Sequence, residues 1–207
     1  MSNLVWYVSY GSNMRAARFR YYLVGGKPPG SSRTYPGARD HSPPRADRTV
    51  WLPGGIYFAT ESPVWGGGRA FYDSALPGKA AARAYLITAE QFSDLTAQEM
   101  YREPGVNLDL TQVAAIGRIQ IGPGRYETLL HVGLDDQAPM LTFTAPWRSC
   151  DVPLVSPSAN YLRMLGQGLR EAHGWDTHRI AAYLASVPGS QGHWMAEEIQ
   201  RLLTDDA

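Results

Sequence analysis

The sequence predicts an α+β fold in which strands come first and helices come last. Short runs rich in β-branched and aromatic residues recur between residues 4 and 144, separated by glycine and proline. Three helical patterns follow, beginning near Ser156, Thr177 and Trp194. Since a chain of 207 residues with 44% hydrophobic content can bury one substantial core, we expect a single domain over residues 1–207.

The individual elements follow from periodicity and from turn signals. Residues 4–10 lack polar alternation, which indicates a strand buried on both faces near the centre of a sheet. Further strands are predicted at 49–52, 55–59, 82–87, 113–121, 126–132 and 140–144, with antiparallel hairpins among the last three. Helices are predicted at 14–24, from Ala89 behind a Thr88/Gln91 capping box, at 156–173, at 177–185 and at 194–203. Residues 27–48 form a predicted long loop, and residues 176–207 a helical C-terminal extension.

Composition excludes several classes of function. Basic and acidic residues both number 19, so no net field attracts the protein to nucleic acid or to a membrane, and we expect a small-molecule ligand. One cysteine, no leader pattern and no apolar run of about 20 residues predict a cytoplasmic protein. The expected state is a monomer or a homodimer. The five histidines show no spacing typical of a metal site, so no metal is expected.

The tight turn Gly11-Ser12-Asn13 stands between the first strand and the first helix. Such a turn directs backbone N–H groups and the positive end of a helix dipole outward, which suits a carboxylate or phosphate. The alternative is structural: Gly11 allows the turn, and Ser12 or Asn13 caps the helix. Local sequence does not decide between the two.

Glu99 is an acid on the apolar face of the helix that begins at Ala89. It follows Phe92 and Leu95 by seven and four residues, which places all three on one face. A carboxylate buried without a cationic partner suits proton transfer near neutral pH, so Glu99 is a candidate general base and acid. The alternative is a helix-end ion pair with Arg102, and Glu103 is the second candidate acid.

Three motifs together resemble one family. Tyr10-Gly11-Ser12-Asn13-Met14 after a hydrophobic strand resembles the YGSN signature of the γ-glutamylcyclotransferases and their AIG2-like relatives. Residues 84–99 are similar to the strand and helix that lead to the family's catalytic glutamate, and Pro157-Ser158-Ala159-Asn160-Tyr161 to its late helix start. The resemblance implies a single domain built on a small, partly closed mixed β-barrel flanked by helices. It makes Glu99 the catalytic residue and gives substrate binding to six residues: Tyr10, Gly11, Ser12, Asn13, Met14 and Tyr161.

The implied reaction converts a γ-glutamyl amino acid, amine or metabolite to 5-oxoproline and a free amine without a cofactor. Two alternatives stay open: a non-catalytic anion-binding module of the same fold, and a hydrolase that releases glutamate. The stretch 65–73 looks like a subgroup feature. Its glycine-rich part, residues 65–69, is predicted to be a flexible loop with Arg69 at the surface, or otherwise a lid.

Overall fold

A computed structural model describes residues 3–28 and 33–204 of the chain. Residues 29–32 of the predicted 27–48 loop and residues 205–207 of the predicted C-terminal extension lie outside the described residues. The chain divides into two compact units. Unit 1 comprises Met1–Ser9, Ala17–Val50 and Arg83–Pro146, and unit 2 comprises Tyr10–Ala16, Trp51–Ala82 and Trp147–Ala207. The single domain over residues 1–207 stays a prediction.

The secondary structure confirms the α+β class. The strands are β1 (Leu4–Ser9), β2 (Ala46–Pro53), β3 (Gly55–Glu61), β4 (Gly68–Asp73), β5 (Lys79–Thr88), β6 (Arg118–Gln120), β7 (Thr128–Asp135) and β8 (Ala138–Thr144). The α-helices are α1 (Ala16–Val24), α2 (Ala89–Glu99), α3 (Leu110–Ile116), α4 (Ala159–His173), α5 (Thr177–Ser186) and α6 (Ala196–Thr204). In the described residues the strands form a six-stranded and a two-stranded sheet, and they close no barrel.

The six-stranded sheet has the order β2-β5-β1-β8-β7-β6. Strand β1 pairs antiparallel with β5 and parallel with β8, and it is buried from Val5 to Ser9. The predicted central strand is therefore confirmed, as are antiparallel pairs of β7 with β6 and β8. The core of unit 1 lies around Tyr7, whose ring contacts those of Phe19, Phe92 and Phe143.

Helix α2 begins at the predicted capping box. The Thr88 hydroxyl accepts the backbone N–H of Gln91, while the Gln91 side chain accepts the backbone N–H of Thr88. These bonds satisfy two donors that a helix start leaves without intrahelical partners. The prediction of this helix start is confirmed.

Two predictions of secondary structure were wrong. The predicted strand over 113–121 is helix α3 followed by the short strand β6. Asp109 caps α3 by accepting the Thr111 N–H, and Gly117, with a φ of 89°, ends it in a left-handed conformation. Strand β4 was not predicted, because the glycines at its start are typical of a loop. It pairs antiparallel with β3 in unit 2. Among the described residues, no helix is long and apolar enough to cross a membrane.

Candidate functional site

The Gly11-Ser12-Asn13 turn is a short 3-10 helix, Ser12–Met14, in unit 2. Its own bonds run from the Met14 N–H to the Gly11 carbonyl (3.0 Å) and from the Arg15 N–H to the Ser12 carbonyl (3.2 Å). The N–H groups of Ser12 and Asn13 precede these bonds and are not used by them. Gly11 is the N-cap of this turn, which has no side-chain cap, and Arg15 is extended before α1. The expectation that Ser12 or Asn13 caps the following α-helix is therefore wrong.

The amino end of α1 lies beyond the turn. The helix begins at Ala16, whose N–H donates to the Glu171 carboxylate at 3.3 Å, and both residues belong to unit 2. This carboxylate is a protein anion at the positive end of the helix. The extended Arg15 separates the turn from this helix end, and the expected contribution of the α1 dipole to a ligand at residues 11–13 stays a prediction.

Glycine at residue 168 sets the position of the turn. A Cβ atom there would lie 2.9 Å from the Met14 Cβ and 3.2 Å from the Arg15 nitrogen, closer than packed side chains allow. Helix α4 can therefore approach the backbone of the turn only because Gly168 has no side chain. Met14, which the resemblance assigns to substrate binding, is buried at this contact.

Tyr161 lies in the first turn of α4 and is 4% exposed. Its hydroxyl accepts the Ala70 N–H at 3.3 Å, and its ring stacks on Trp65 with centroids 5.5 Å apart. A Cβ atom at Gly11 would lie 3.5 Å from that hydroxyl oxygen. Unit 2 therefore brings together the predicted binding residues Gly11 and Tyr161, although they are far apart in sequence. Tyr10, the residue before Gly11, packs against Tyr72, and the two ring centroids are 5.8 Å apart.

The glycine-rich segment 65–69 is packed rather than a flexible surface loop. A Cβ atom at Gly68 would lie 2.0 Å from the Val155 carbonyl oxygen, and the Gly68 N–H donates to the Ser156 carbonyl at 2.8 Å. Arg69 is 8% exposed and donates to the Glu61 carbonyl. The prediction of a surface Arg69 is wrong, because its side chain is buried. The segment packs against residues 155–158, which precede α4, and Trp65 stacks on the Tyr161 ring.

Glu99 lies at the last residue of α2 in unit 1. Phe92 and Leu95 are fully buried and Glu99 is half-buried, as their common face predicts. The Tyr22 hydroxyl donates to the Glu99 carboxylate. Burial raises the pKa of Tyr22 well above its usual value, and the negative charge of Glu99 raises it further.

Arg18 supplies a cation in the same cluster. Its guanidinium lies 5.1 Å from the Tyr22 ring centroid and 4.5 Å from that of Tyr35, and it donates to the Tyr35 hydroxyl. Burial alone would lower the pKa of Arg18. The two tyrosines and the charge of Glu99 outweigh burial, so the pKa is raised. A cation therefore lies within electrostatic range of Glu99, and the role of Glu99 as base and acid stays a prediction.

The predicted alternatives were an ion pair of Glu99 with Arg102 and the use of Glu103 as the acid. Arg102 forms an ion pair with Glu127, which is buried. Glu103 is exposed. Of the two candidate acids, Glu99 is thus the less exposed one and has the Tyr22 hydroxyl and the Arg18 charge near it, whereas the roles of all predicted site residues stay predictions.

Sequence reasoning did not identify Arg18, Tyr22 and Tyr35. The spacing of Arg18 and Tyr22, four residues apart on a helix, puts them on one face and was the available signal. Among residues 3–28 and 33–204, no group of three or more histidine, cysteine, aspartate or glutamate side chains could hold a metal.

Comparisons with known proteins extend over most of the chain. A scan against protein-family models finds no match. The chain is 33% identical to Histone deacetylase 5 of Arabidopsis thaliana over 204 residues, an alignment that covers 87% of this chain and 30% of that protein. The chain therefore spans about 30% of the length of this curated relative.

Two solved structures are similar across nearly the whole chain. A crystal structure of the uncharacterized protein loc79017 from Homo sapiens has a TM-score of 0.53 and 14% identity, and covers 98% of this chain and 99% of its own. A structure named gamma-glutamyl cyclotransferase has a TM-score of 0.48 and 13% identity at the same coverage. The fold of this chain is shared with the human protein.

Proposed function

We propose that this protein is a γ-glutamylcyclotransferase-like enzyme that needs no cofactor. It converts a small γ-glutamyl compound to 5-oxoproline and a free amine. The α-amine attacks the γ-amide carbonyl carbon, a new carbon–nitrogen bond closes the ring, and the old amide bond breaks. One proton moves from the attacking nitrogen to the leaving nitrogen, so the reaction consumes no water.

The arrangement of the turn with Tyr161 is the observation that carries this proposal. The family signature predicts a substrate cradle at residues 10–14 and Tyr161, and in unit 2 a Cβ atom added at Gly11 would lie 3.5 Å from the Tyr161 hydroxyl, so the two residues are close neighbours. Backbone N–H groups at Ser12 and Asn13 would stabilise the α-carboxylate or the developing oxyanion. A cradle made of backbone needs no charged side chain, which agrees with its glycine and small polar residues.

Glu99 would carry the proton. It takes a proton from the α-amine and returns it to the leaving nitrogen, a role that contributes on the order of 10²–10⁴ in rate. In unit 1 the Tyr22 hydroxyl donates to the carboxylate and orients it, and the charge of Arg18 adds an electrostatic attraction. Such fixed geometry supports an acid-base role, since proton transfer depends on orientation.

Product identity tests the proposal. We would incubate the protein with a panel of γ-glutamyl amino acids and γ-glutamyl amines and analyse the products by mass spectrometry. Release of 5-oxoproline is expected. Free glutamate, which differs from 5-oxoproline by one water, would instead identify a hydrolase. Tight binding without any product would identify a non-catalytic binding module.

One observation favours amide hydrolysis as a second candidate function. The relative at 33% identity is named a histone deacetylase, a name that denotes removal of an acetyl group, although this chain covers only 30% of that protein. An acetyl-lysine peptide therefore belongs in the same panel. Release of acetate would support this second candidate, and its absence together with 5-oxoproline formation would reject it.

A further inference from the structure

Gln98 is a fully buried residue in the last turn of α2 and directly precedes the candidate acid Glu99. Its side-chain amide donates to the backbone carbonyl of Tyr22 in α1 at 2.9 Å and to the Asp94 carbonyl at 3.3 Å. Both partners are carbonyl oxygens, so the amide nitrogen is the atom that contacts them. The first bond connects α2 to α1, and the second holds the side chain along its own helix.

Tyr22 is thereby held at two points. Its backbone carbonyl accepts from Gln98, and its hydroxyl donates to the Glu99 carboxylate. Gln98 and Glu99 are consecutive in the chain, so the two contacts close a ring of bonds within unit 1. One contact leaves a side chain free to rotate about it, whereas contacts at opposite ends of Tyr22 fix both its distance and its direction from the carboxylate.

Stability alone does not explain a glutamine at this position. In the part of the chain that the structure describes, the buried Gln98 Oε1 atom has no hydrogen-bond partner, which destabilises the folded state. The carbonyls on either side in α1, those of Tyr21 and Leu23, are satisfied by backbone N–H groups at 3.1 and 2.9 Å. The Gln98 amide thus binds the carbonyl of Tyr22, the residue whose hydroxyl meets Glu99.

We propose that Gln98 is a positioning residue, which sets the Tyr22 hydroxyl on the Glu99 carboxylate and so orients the group that transfers the proton. The inference rests on the proposed function, in which Glu99 takes a proton from one nitrogen of the substrate and returns it to another. Such a carboxylate must serve two nitrogen atoms in turn, and its rate depends on the orientation of its oxygens. Gln98 acts through Tyr22 rather than on the substrate.

Gln98→Met tests this role, because methionine has a similar length and lacks the N–H donors. Gln91→Met is the matched control on the same helix. Gln91 is also buried, and its amide donates to the Asp40 and Ser42 carbonyls at 3.1 and 2.8 Å, at the end of α2 far from Glu99. Both substitutions remove buried amide-to-carbonyl bonds, so both should lower the urea midpoint. Gln98→Leu gives the same comparison if Gln98→Met does not fold.

Turnover separates the two substitutions under conditions in which urea unfolding shows each variant to be folded. With a γ-glutamyl amino acid, Gln98→Met should lower kcat about fivefold with little change in KM, the rate equivalent of one net hydrogen bond. Gln91→Met should leave kcat unchanged. In a Tyr22→Phe background, Gln98→Met should lower kcat no further, because the hydroxyl through which Gln98 acts is absent. Equal losses of kcat in Gln98→Met and Gln91→Met, or an undiminished loss in the Tyr22→Phe background, overturn the positioning role.

A spectroscopic measurement reports the position of Tyr22 without turnover. Tyrosine isotopically labelled at Cζ gives a nuclear magnetic resonance signal that is sensitive to the hydrogen bond of the hydroxyl, and the Tyr22 signal is assigned by its loss in Tyr22→Phe. Gln98→Met should shift this signal, whereas Gln91→Met should leave it unchanged. An unmoved Tyr22 signal in Gln98→Met overturns the inference.

Failure of this inference and failure of the proposed function give different results. Turnover by the wild type together with an unchanged kcat in Gln98→Met retains the enzyme and overturns the positioning role. Absence of 5-oxoproline from every γ-glutamyl substrate rejects the proposed function. In that case a Tyr22 signal that shifts in Gln98→Met alone still supports the placement of Tyr22 by Gln98, and an unmoved signal overturns it.

Discussion

The candidate residues of unit 2 and those of unit 1 are held in place by different physical means. In unit 2 the turn at residues 11–14 is positioned by close backbone approach, which requires the absence of a side chain at Gly168. In unit 1 Glu99 is positioned by polar side chains, namely the hydroxyl of Tyr22 and the charge of Arg18. We expect unit 2 to be sensitive to added volume and unit 1 to be sensitive to lost polarity.

The substitution with the largest expected effect on stability adds volume in unit 2. Gly168→Val places a side chain against Met14 and the Arg15 backbone, and overpacking of this kind costs about 1–3 kcal/mol. We expect a lower urea midpoint and a higher KM, because the turn must move away from α4. The neighbouring Gln167→Val controls for the lower helix propensity of valine. Equal effects of the two substitutions would contradict a special close approach at residue 168.

A matched pair of tyrosine substitutions removes one buried hydroxyl from each unit. Tyr22→Phe removes the donor to Glu99, and Tyr183→Phe removes the acceptor of the Ala81 N–H in unit 2. Each should cost about 1 kcal/mol in the free energy of unfolding, the usual net value of a hydrogen bond. Only Tyr22→Phe should also lower kcat, since it alone contacts the candidate acid. A similar fall in kcat for Tyr183→Phe would contradict the separation of roles.

Alkaline pH should lower the stability of both units, with a smaller effect than the substitutions above. Burial raises the pKa of Tyr183 to about 12, and burial with the charge of Glu99 raises the pKa of Tyr22. Above about pH 10 an unfolded tyrosine loses its proton while the folded one keeps it, so stability falls as pH rises. Urea midpoints from pH 9 to 11.5 should therefore decline less steeply in Tyr183→Phe than in the wild type. An unchanged slope would contradict a buried, protonated Tyr183.

The sequence predicted those parts of the fold that depend on local chemistry. The buried run of β1, the capping box at Thr88 and helices beginning near residues 156 and 177 were all visible as residue patterns, and the structure confirms them, with α4 beginning at Ala159. Strand β4 was not visible, because its pairing with β3 depends on the non-local packing of Gly67 and Gly68 against residues 155–158. Local residue patterns do not show which distant segments of the chain pack closely against each other.

The candidate site was likewise predicted where it depends on local motifs and missed where it depends on packing. The motif residues Gly11 and Tyr161 were predicted from sequence, and unit 2 brings them together. The extended Arg15, which separates the turn from α1, was not predicted, since backbone angles at one residue depend on what packs against it. Arg18 was also missed, because an arginine on a helix is exposed more often than buried, as Arg20 of the same helix is.

The most direct test of the account is turnover by Glu99→Gln measured beside ligand binding. Glutamine keeps the size of the side chain and its capacity to accept from Tyr22, but it cannot take a proton at neutral pH. We predict that 5-oxoproline formation falls by about 10²-fold or more while the dissociation constant for a γ-glutamyl substrate stays within a few-fold of the wild-type value. Equal turnover by Glu99→Gln and the wild type would contradict the assignment of Glu99 as the acid and base.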